Sequence, residues 1–356
     1  MKNHIFSQNS LDLKIVAIGG GNGLSTLLSG LKKYVGSYNS EISKIEKLSA
    51  IVAVSDDGES SGRLRDELQM LPPGDVRNCM VALSEDSLLL SQLFRHRFSG
   101  DGDLSGHSFG NLFLAALTEI TGDFCEAVKL SSEILASKGT IYPATMEDVR
   151  LSAELHDGKI VHGETNIAKV GNLIKRLRLE PEQCHPLPEA IEAIHAADVI
   201  TVGPGSLYTS LLPPILVKGV TQAIAESPAL KIFICNLMTQ PGETDGYSAR
   251  KHLEIIRDYA PEIDFDYVVV NNRPISSFQA ERYADEGAEQ IGVHGSISPE
   301  SIEGAQIISG NLLDDGEKVR HHPEKLAQVV LLCAMKHNHL KDLQSDNIQW
   351  QTQLVN

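Results

Sequence analysis

The chain has 356 residues, of which 42% are hydrophobic and 22% charged, a balance typical of a soluble globular protein with a large core. Its formal net charge of −16 argues against nucleic-acid binding, which depends on Lys and Arg to neutralise phosphates. No apolar run reaches the roughly 20 residues of a membrane span, and Met1–Leu11 lacks the apolar centre of a signal peptide. The five cysteines form no CxxC pair, so we expect reduced thiols in a cytoplasmic protein.

The first predicted unit is a strand, a glycine-rich turn and a helix. The apolar run Ile15–Ile18 leads into Gly19–Gly23, and a helical pattern follows. Backbone N–H groups converge at such a helix start and the helix dipole is positive there, so the turn predicts a site for a phosphate-bearing ligand. The spacing matches neither the G-x-G-x-x-G motif nor a Walker A loop, and a tight turn without a ligand is the structural alternative.

An acidic pair ends the next predicted strand. Ile51–Val54 leads into Ser55, Asp56 and Asp57, about where a ribose-binding acid lies in dinucleotide-binding folds. Asp56 is therefore predicted to contact a sugar, and Asp57 to offer a ligand to a Mg²⁺ ion that bridges to phosphate oxygens. The alternative is that Asp57 or Ser60 only caps the helix that follows.

Two later loops open helices with a polar residue. In Pro72–Asn78 we expect Asp75 to be the N-cap, and in Gly106–Asn111 the side chain of His107 lies beside a helix start. A histidine there could serve as a general base or donate to a phosphate, but a structural role beside the cap is commoner.

Three arginines, Arg63, Arg65 and Arg77, follow the acidic pair within a short distance. An acidic protein that binds an anion must concentrate positive charge locally, and these side chains are candidates for that role. Solvated helix faces are an equal alternative for each of them.

The rest of the chain alternates apolar strands with helical patterns. Strands are predicted at Val199–Val202, Lys231–Cys235 and Tyr267–Val270, and their continuous apolar character suits central parallel strands. The pattern of Leu151–Gly163 around an Asp-Gly turn predicts a hairpin, with Ile174–Leu179 as a third strand of an antiparallel insertion. We therefore expect an α/β protein with a Rossmann-like, doubly wound, mostly parallel sheet. The predicted organisation is one nucleotide-binding domain over residues 12–340, with the β insertion at about 140–180, and a polar tail over 341–356.

Further polar loops follow the later strands. Gly203–Ser206 leads from a strand into a hydroxyl-rich helix, and Asn236–Thr239 offers amide and hydroxyl groups suited to a sugar or a base edge. Ligands of doubly wound sheets bind beyond the carboxyl ends of the strands, so these loops should meet the glycine turn. Arg320 precedes the last predicted helix and could clamp a phosphate, with a surface ion pair as the alternative. The predicted ligand-binding residues are Gly20, Gly21, Asn22, Gly23, Asp56, Asp57, Gly203, Pro204, Gly205, Ser206, Asn236, Thr239 and Arg320.

Five strings occur together and in a fixed order: DDGESSGRLRDEL, PPGDVRN, GHSFGNLFLAALTE, GPGSLYTSLLP and NLMTQPGETDGYS. On these strings the chain, from about Lys14 to Lys336, resembles the gluconeogenesis-factor (YvcK-like) family, relatives of the 2-phospho-L-lactate transferases (CofD-like). The resemblance implies a Rossmann-like fold, a cytoplasmic location, binding of a UDP-sugar, and a role in cell shape and in growth on gluconeogenic carbon sources. Asn22 stands where the family commonly has Thr, and Glu59 where it commonly has Gly.

Three functions follow from these observations. The favoured one is a UDP-sugar-binding regulator whose ligand biases the interaction with a protein partner. The alternative is a Mg²⁺-dependent phosphoryl or nucleotidyl transferase, in which Asp57 is the catalytic residue that holds the metal and Arg63 or Arg77 stabilises developing charge. An NAD-dependent oxidoreductase rests on the glycine turn alone and is the weakest. The sequence requires no cofactor, with Mg²⁺ beside the nucleotide sugar as the one candidate, and a homo-oligomer is left open.

Overall fold

The protein is built on a central sheet of eight strands and a separate antiparallel sheet of three. The structure, a computed structural model, describes residues 12–36, 44–85, 88–170, 174–292 and 301–353, with the backbone alone for residues 88 and 341–353. The strands are β1 (Asp12–Gly19), β2 (Lys44–Val52), β3 (Thr140–Pro143), β4 (Arg150–Leu155), β5 (Ile160–His162), β6 (Ile174–Glu180), β7 (Val199–Val202), β8 (Leu230–Ile234), β9 (Tyr267–Asn271), β10 (Ser301–Ile302) and β11 (Ala305–Gly310).

Helices connect these strands. They are α1 (Gly21–Leu31), α2 (Glu59–Leu68), α3 (Gly74–Leu83), α4 (Leu88–Arg95), α5 (Phe109–Thr121), α6 (Phe124–Ile134), α7 (Glu164–Ile167), α8 (Pro188–His195), α9 (Leu212–Leu216), α10 (Val220–Glu226), α11 (Ala249–Tyr259), α12 (Ser277–Asp285) and α13 (Pro323–Gln353). Within the described ranges, none of them combines the length and apolar character needed to cross a membrane.

The order of the large sheet is β10-β11-β9-β8-β7-β1-β2-β3. From β1 the chain builds outward through β2 and β3, and from β7 it builds outward in the other direction. β1 pairs in parallel with both β2 and β7, so the strand order reverses between β1 and β7. In open α/β sheets such a switch point leaves a crevice at the carboxyl ends of the strands, where ligands bind.

The burial of the central strands explains why these segments form a parallel sheet. All four residues of β7 are buried, as are all five of β9, because helices cover both faces. The predicted α/β class with a mostly parallel sheet and a small antiparallel sheet is confirmed. Of the predicted strands, β7 has the predicted bounds, whereas β2 begins seven residues before the predicted Ile51.

The predicted insertion is present as the sheet β5-β4-β6, with β4 paired antiparallel to both neighbours. α13 runs to Gln353, into the segment that the sequence predicted as a polar tail. Much of the predicted tail at 341–356 therefore has a helical backbone, and the last three residues and Met1–Leu11 lie outside the described ranges. The division of the chain into one domain and a tail stays a prediction.

The helix starts near the acidic pair differ from the predicted caps. The N-cap of α2 is Gly58 and that of α3 is Pro73, and neither start has a side-chain cap. The predicted capping roles of Asp57, Ser60 and Asp75 are therefore wrong, which leaves their polar atoms for other contacts. In α5 the cap is Ser108, whose side chain accepts a hydrogen bond from the Asn111 amide.

We predict that Gly23→Ala destabilises the fold. A Cβ at residue 23 would lie 2.3 Å from the backbone oxygen of Pro204, so either the loop after β1 or the loop after β7 must move. Overpacking of this kind costs about 1–3 kcal/mol, which urea unfolding would measure. Gly102→Ala is the matched control, because nothing lies within 4 Å of a Cβ there. Equal stability of the two variants would contradict the close contact.

Candidate functional site

A cavity of about 520 Å³ lies at the switch point between β1 and β7. Its walls come from the loop after β1, the loops after β7 and β8, the starts of α3 and α7, the end of α12 and the segment before α13. This volume is within the range of pockets that hold small ligands and cofactors. The strand-end loops therefore meet as the sequence predicts, at the place where doubly wound sheets bind ligands.

The glycine turn forms one wall through its backbone. Gly21 has a φ of +61°, in the left-handed region that favours glycine. The first hydrogen bond within α1 runs from the Leu24 amide to the Gly20 carbonyl, so the N–H groups of Asn22 and Gly23 have no carbonyl partner among the described residues. Because these groups lie at the positive end of the helix dipole, they suit a phosphate or another anion.

The loop after β7 is held in place by the loop after β8. Asn236 accepts a hydrogen bond from the Gly205 amide at 3.0 Å and donates to the Gly205 carbonyl at 2.8 Å. Gln240 Nε2 donates to Ser206 Oγ at 2.6 Å. The hydroxyl of Thr239 accepts from the Glu289 amide at 2.8 Å. Asn236 and Thr239 thus use some of their hydrogen-bonding groups to hold the cavity wall in place, and their remaining groups are available to a ligand.

The structure brings most of the predicted residues together. The predicted residues that line the cavity are Gly20, Gly21, Asn22, Gly23, Asp56, Pro204, Gly205, Ser206, Asn236, Thr239 and Arg320. Gly203 and Asp57 do not line it. Asp57 Oδ1 instead accepts hydrogen bonds from the amide and the hydroxyl of Thr165, so this carboxylate ties the end of the β2 segment to the insertion. Its role as a metal ligand or catalytic residue stays a prediction.

Three carboxylates that were not predicted as site residues, Asp75, Glu164 and the exposed Glu286, line the cavity together with Asp56. Burial and the charge of Asp56 raise the pKa of Asp75 to about 7. Burial, then the charges of Asp56 and Asp75, raise the pKa of Glu164 well above its ordinary value. Asp75 follows Pro72-Pro73-Gly74 at a helix start, a pattern that predicts a helix N-cap and not a cavity residue. Glu164 belongs to the insertion, and nothing in its sequence neighbourhood signals the contact.

Positive charge is scarce in the cavity. Among the described residues that line it, Arg320 is the one Lys or Arg, and its exposed guanidinium makes no ion pair there. His321 is buried, and burial lowers its pKa to about 4, which keeps the ring neutral at pH 7. The arrangement offers backbone amides and one guanidinium to an anion, and carboxylates to sugar hydroxyls or a cation. Within the described ranges, no group of three or more His, Cys, Asp and Glu side chains is arranged to hold a metal ion.

Comparison with known proteins decides the family. Residues 15–313 match the 2-phospho-L-lactate transferase CofD family. The chain belongs to the CofD family. Its similarity to curated members extends across most of the sequence: it is 46% identical to the gluconeogenesis factor of Halalkalibacterium halodurans, over 89% of this chain and 95% of that protein. It is 43% identical to the gluconeogenesis factor of Bacillus subtilis, over 89% of this chain and 97% of that protein.

Two solved structures share the fold of this chain. A crystal structure of a Bacillus halodurans protein superposes with a TM-score of 0.83 at 46% identity, covering 90% of this chain and all of that one. A second crystal structure of the same protein, described there as a member of the UPF0052 family, gives a TM-score of 0.81 at 46% identity over 90% of this chain and 99% of that one. The resemblance to gluconeogenesis factors is therefore confirmed.

We predict that Asp75→Asn makes stability less dependent on pH. An acid whose pKa rises on folding, here from 3.8 to about 7, holds its proton more tightly in the folded chain, so the folded state loses stability as the pH rises through that window. Asparagine does not titrate, and at pH 8 the variant should be more stable than the parent by about 1–4 kcal/mol, since one pKa unit corresponds to about 1.4 kcal/mol.

Urea unfolding at pH 5 and pH 8 checks this prediction. The difference between variant and parent should grow with pH, whereas Asp101→Asn, at an exposed loop position, should follow the parent. A difference for Asp75→Asn that is the same at both pH values would contradict the burial of this carboxyl.

Proposed function

We propose that the chain is a cytoplasmic regulatory protein that binds a UDP-sugar in the switch-point cavity. The observation that carries the proposal is the meeting of the α1 start, the β7 loop and Arg320 around one cavity of about 520 Å³. The names of its relatives support a role as a gluconeogenesis factor. Growth on gluconeogenic carbon sources and the maintenance of cell shape are the processes in which we expect it to act.

The phosphates of the nucleotide belong at the start of α1. The Asn22 and Gly23 amides face an anion there without desolvating a charged side chain. Arg320 can reach the same ligand with two N–H groups, and its exposure keeps the cost of holding the charge low. The sugar or the base then faces the polar side of the cavity, where Asp56, Gln240 and Thr239 provide acceptors and donors.

The carboxylates fit a Mg²⁺ ion that accompanies the nucleotide. Mg²⁺ is commonly held by one or two carboxylates together with phosphate oxygens and water, which is compatible with the absence of a larger ligand group among the described residues. Asp56 and Asp75 both line the cavity, and burial, together with the charge of Asp56, raises the pKa of Asp75. A bound cation would neutralise the charges of the two carboxylates and screen the phosphates from them.

The output of such a regulator is a protein–protein interaction. Ligand occupancy changes that interaction only if the ligand prefers one conformation of the chain. The cavity is closed on one side by Tyr283 and Glu286 near the end of α12, and Tyr283 accepts a hydrogen bond from the Val319 amide at 3.0 Å. A ligand that contacts Arg320 thus contacts a segment that is hydrogen-bonded to α12. Ligand binding can therefore change the position of α12, which has an exposed surface.

We predict that a UDP-sugar stabilises the chain and that Arg320→Gln weakens its binding. A ligand at a hundredfold its Kd should stabilise the fold by about 2.7 kcal/mol. A thermal-shift panel of UDP-sugars, GDP, NAD and a deazaflavin, with and without Mg²⁺, identifies the class. For Arg320→Gln we expect at least about a tenfold rise in Kd with an unchanged melting temperature without ligand, because charge-assisted hydrogen bonds contribute about 1.5–3 kcal/mol.

Lys318→Gln is the matched control. It also removes one positive charge, but Lys318 lies two residues from Arg320 and its side chain does not line the cavity. No shift with any nucleotide would show the proposal to be wrong. An equal loss of affinity in both variants would mean that net charge, and not the Arg320 contact, holds the ligand.

The second candidate is a phosphoryl or nucleotidyl transferase. The carboxylate pair Asp56 and Asp75 favours it, because two cavity-lining acids can hold Mg²⁺ against a reacting phosphate, and the family is named after a transferase. Turnover of a nucleotide that is lost in Asp56→Asn while the ligand still binds would favour this reading over a regulator.

A further inference from the structure

A second, smaller cavity of about 210 Å³ adjoins the first, and Asp56 and Asp75 line both. The starts of α2 and α3 form two of its walls, and Arg77, Arg97 and Asn111 complete them. It is distinct from the glycine turn, because no residue of Gly20–Gly23 lines it.

Arg77 is the central feature of this cavity. Its side chain is buried, with 8% of the residue exposed. Its Nε donates to Asn111 Oδ1 at 3.1 Å, whereas its two terminal nitrogens have no hydrogen-bond or ion-pair partner among the described residues. Burial and the charge of Arg97 lower the pKa of Arg77. The nearby charges of Asp75 and Asp56 offset part of this effect. Arg77 lines the cavity with its two terminal nitrogens unpaired among the described residues, so they are available to a ligand of opposite charge.

The surroundings fix the guanidinium in place. A Cβ at Gly110 would lie 2.8 Å from the Cγ and Cδ atoms of Arg77, so glycine at residue 110 makes room for the stem of the arginine. Asn111 also donates to Ser60 Oγ at 3.1 Å, and Ser60 lies 2.9 Å from His107 Nδ1. Because Ser60 Oγ accepts from Asn111, its own proton is directed to the ring of His107. The sequence predicted a general base as one role for His107. In the structure His107 is the last residue of a series of hydrogen bonds that runs from Arg77 through Asn111 and Ser60.

Two helix starts add donors to the cavity. α2 and α3 have ten residues each, and neither has a side-chain cap. The first two amides of each helix have no hydrogen-bond partner among the described residues. Arg97, half exposed at the rim, donates to Glu59 Oε2 at 3.0 Å. Glu59 therefore neutralises part of the positive charge at the rim.

We propose that this second cavity binds a phosphoryl group, held by the terminal nitrogens of Arg77 and the starts of α2 and α3. A planar guanidinium with two free donors matches the oxygens of a phosphoryl group. Asp56 and Asp75 also line the cavity and repel an anion, so binding depends on Arg77 outweighing them. The group belongs either to a separate small metabolite or to the ligand of the main cavity.

Equilibrium dialysis of the full chain with radiolabelled inorganic phosphate, without any nucleotide, tests the site. We expect saturable binding to the parent, at least a tenfold rise in Kd for Arg77→Gln, and a smaller rise for Arg97→Gln at the rim. Arg250→Gln is the matched control for charge: Arg250 is exposed and pairs with Glu303, which Arg257 also contacts. Circular dichroism checks the fold of each variant, and Arg97→Gln tests the site on a half-exposed side chain if Arg77→Gln fails to fold.

A saturating UDP-sugar, added in a second series, identifies the source of the phosphoryl group. Displacement of phosphate assigns the group to the ligand of the main cavity, and unchanged phosphate binding assigns it to a separate molecule; both results support the site. Absence of saturable phosphate binding in the parent would overturn the proposal, and so would equal affinities of Arg77→Gln and Arg250→Gln. Since the first series contains no nucleotide, its result is independent of whether the chain binds a UDP-sugar.

Discussion

The contact between two strand-end loops is the constraint on which the site depends. The Pro204 carbonyl lies where a side chain at Gly23 would begin, so the start of α1 and the loop after β7 touch through backbone. Asn236 then fixes the β7 loop with two hydrogen bonds to Gly205. Side chains at these places would separate β1 and β7 at their carboxyl ends and open the crevice. The parallel sheet supplies the position of the cavity, and the glycines supply its width.

Electrostatics shape what such a cavity can accept. The chain is strongly acidic, and the acids that line the main cavity are Asp56, Asp75, Glu164 and Glu286. Arg320 is the one Lys or Arg among the described residues of this lining. In the proposed complex the phosphates are therefore held mainly by backbone amides, which carry partial positive charge without a counterion. The carboxylates can accept hydrogen bonds from hydroxyl groups of the ligand, or they can bind a cation. Because backbone amides contact the anion and carboxylates contact hydroxyl groups or a cation, an acidic protein can offer a site for a phosphorylated ligand.

The sequence predicted the features that local pattern determines. Apolar runs located the central strands, and the glycine excess located the turn at the start of α1, because both depend on residues close together in the chain. The Asp-Gly hairpin of the insertion was found for the same reason. The edge strand β3 and the strand β11, which lies one place from the opposite edge, were missed, since their pairing with β2 and β9 is set by tertiary packing.

The sequence was less informative about individual side chains of the site. Of the adjacent acids, Asp56 lines the cavity while Asp57 binds Thr165, 108 residues further along the chain. Asp75 has the pattern of a helix cap, and its contact with the cavity exists because α3 packs against the glycine turn. Arg77 was one of three equivalent arginines in the sequence. Arg65 is buried as well but pairs with Asp148, whereas Arg77 lines the second cavity with its terminal nitrogens unpaired among the described residues. Such contacts depend on residues far apart in sequence, which a single chain does not reveal.

Hydrogen exchange by mass spectrometry tests the central claim most directly, because it reports on backbone amides. We expect a saturating UDP-sugar to slow exchange in peptides that contain Asn22 and Gly23 and in those that contain Gly205 and Ser206. Exchange in the β4–β5 hairpin, away from the cavity lining, should be unchanged. Binding of the nucleotide without protection of the Asn22 and Gly23 amides would contradict the assignment of the phosphates to the start of α1.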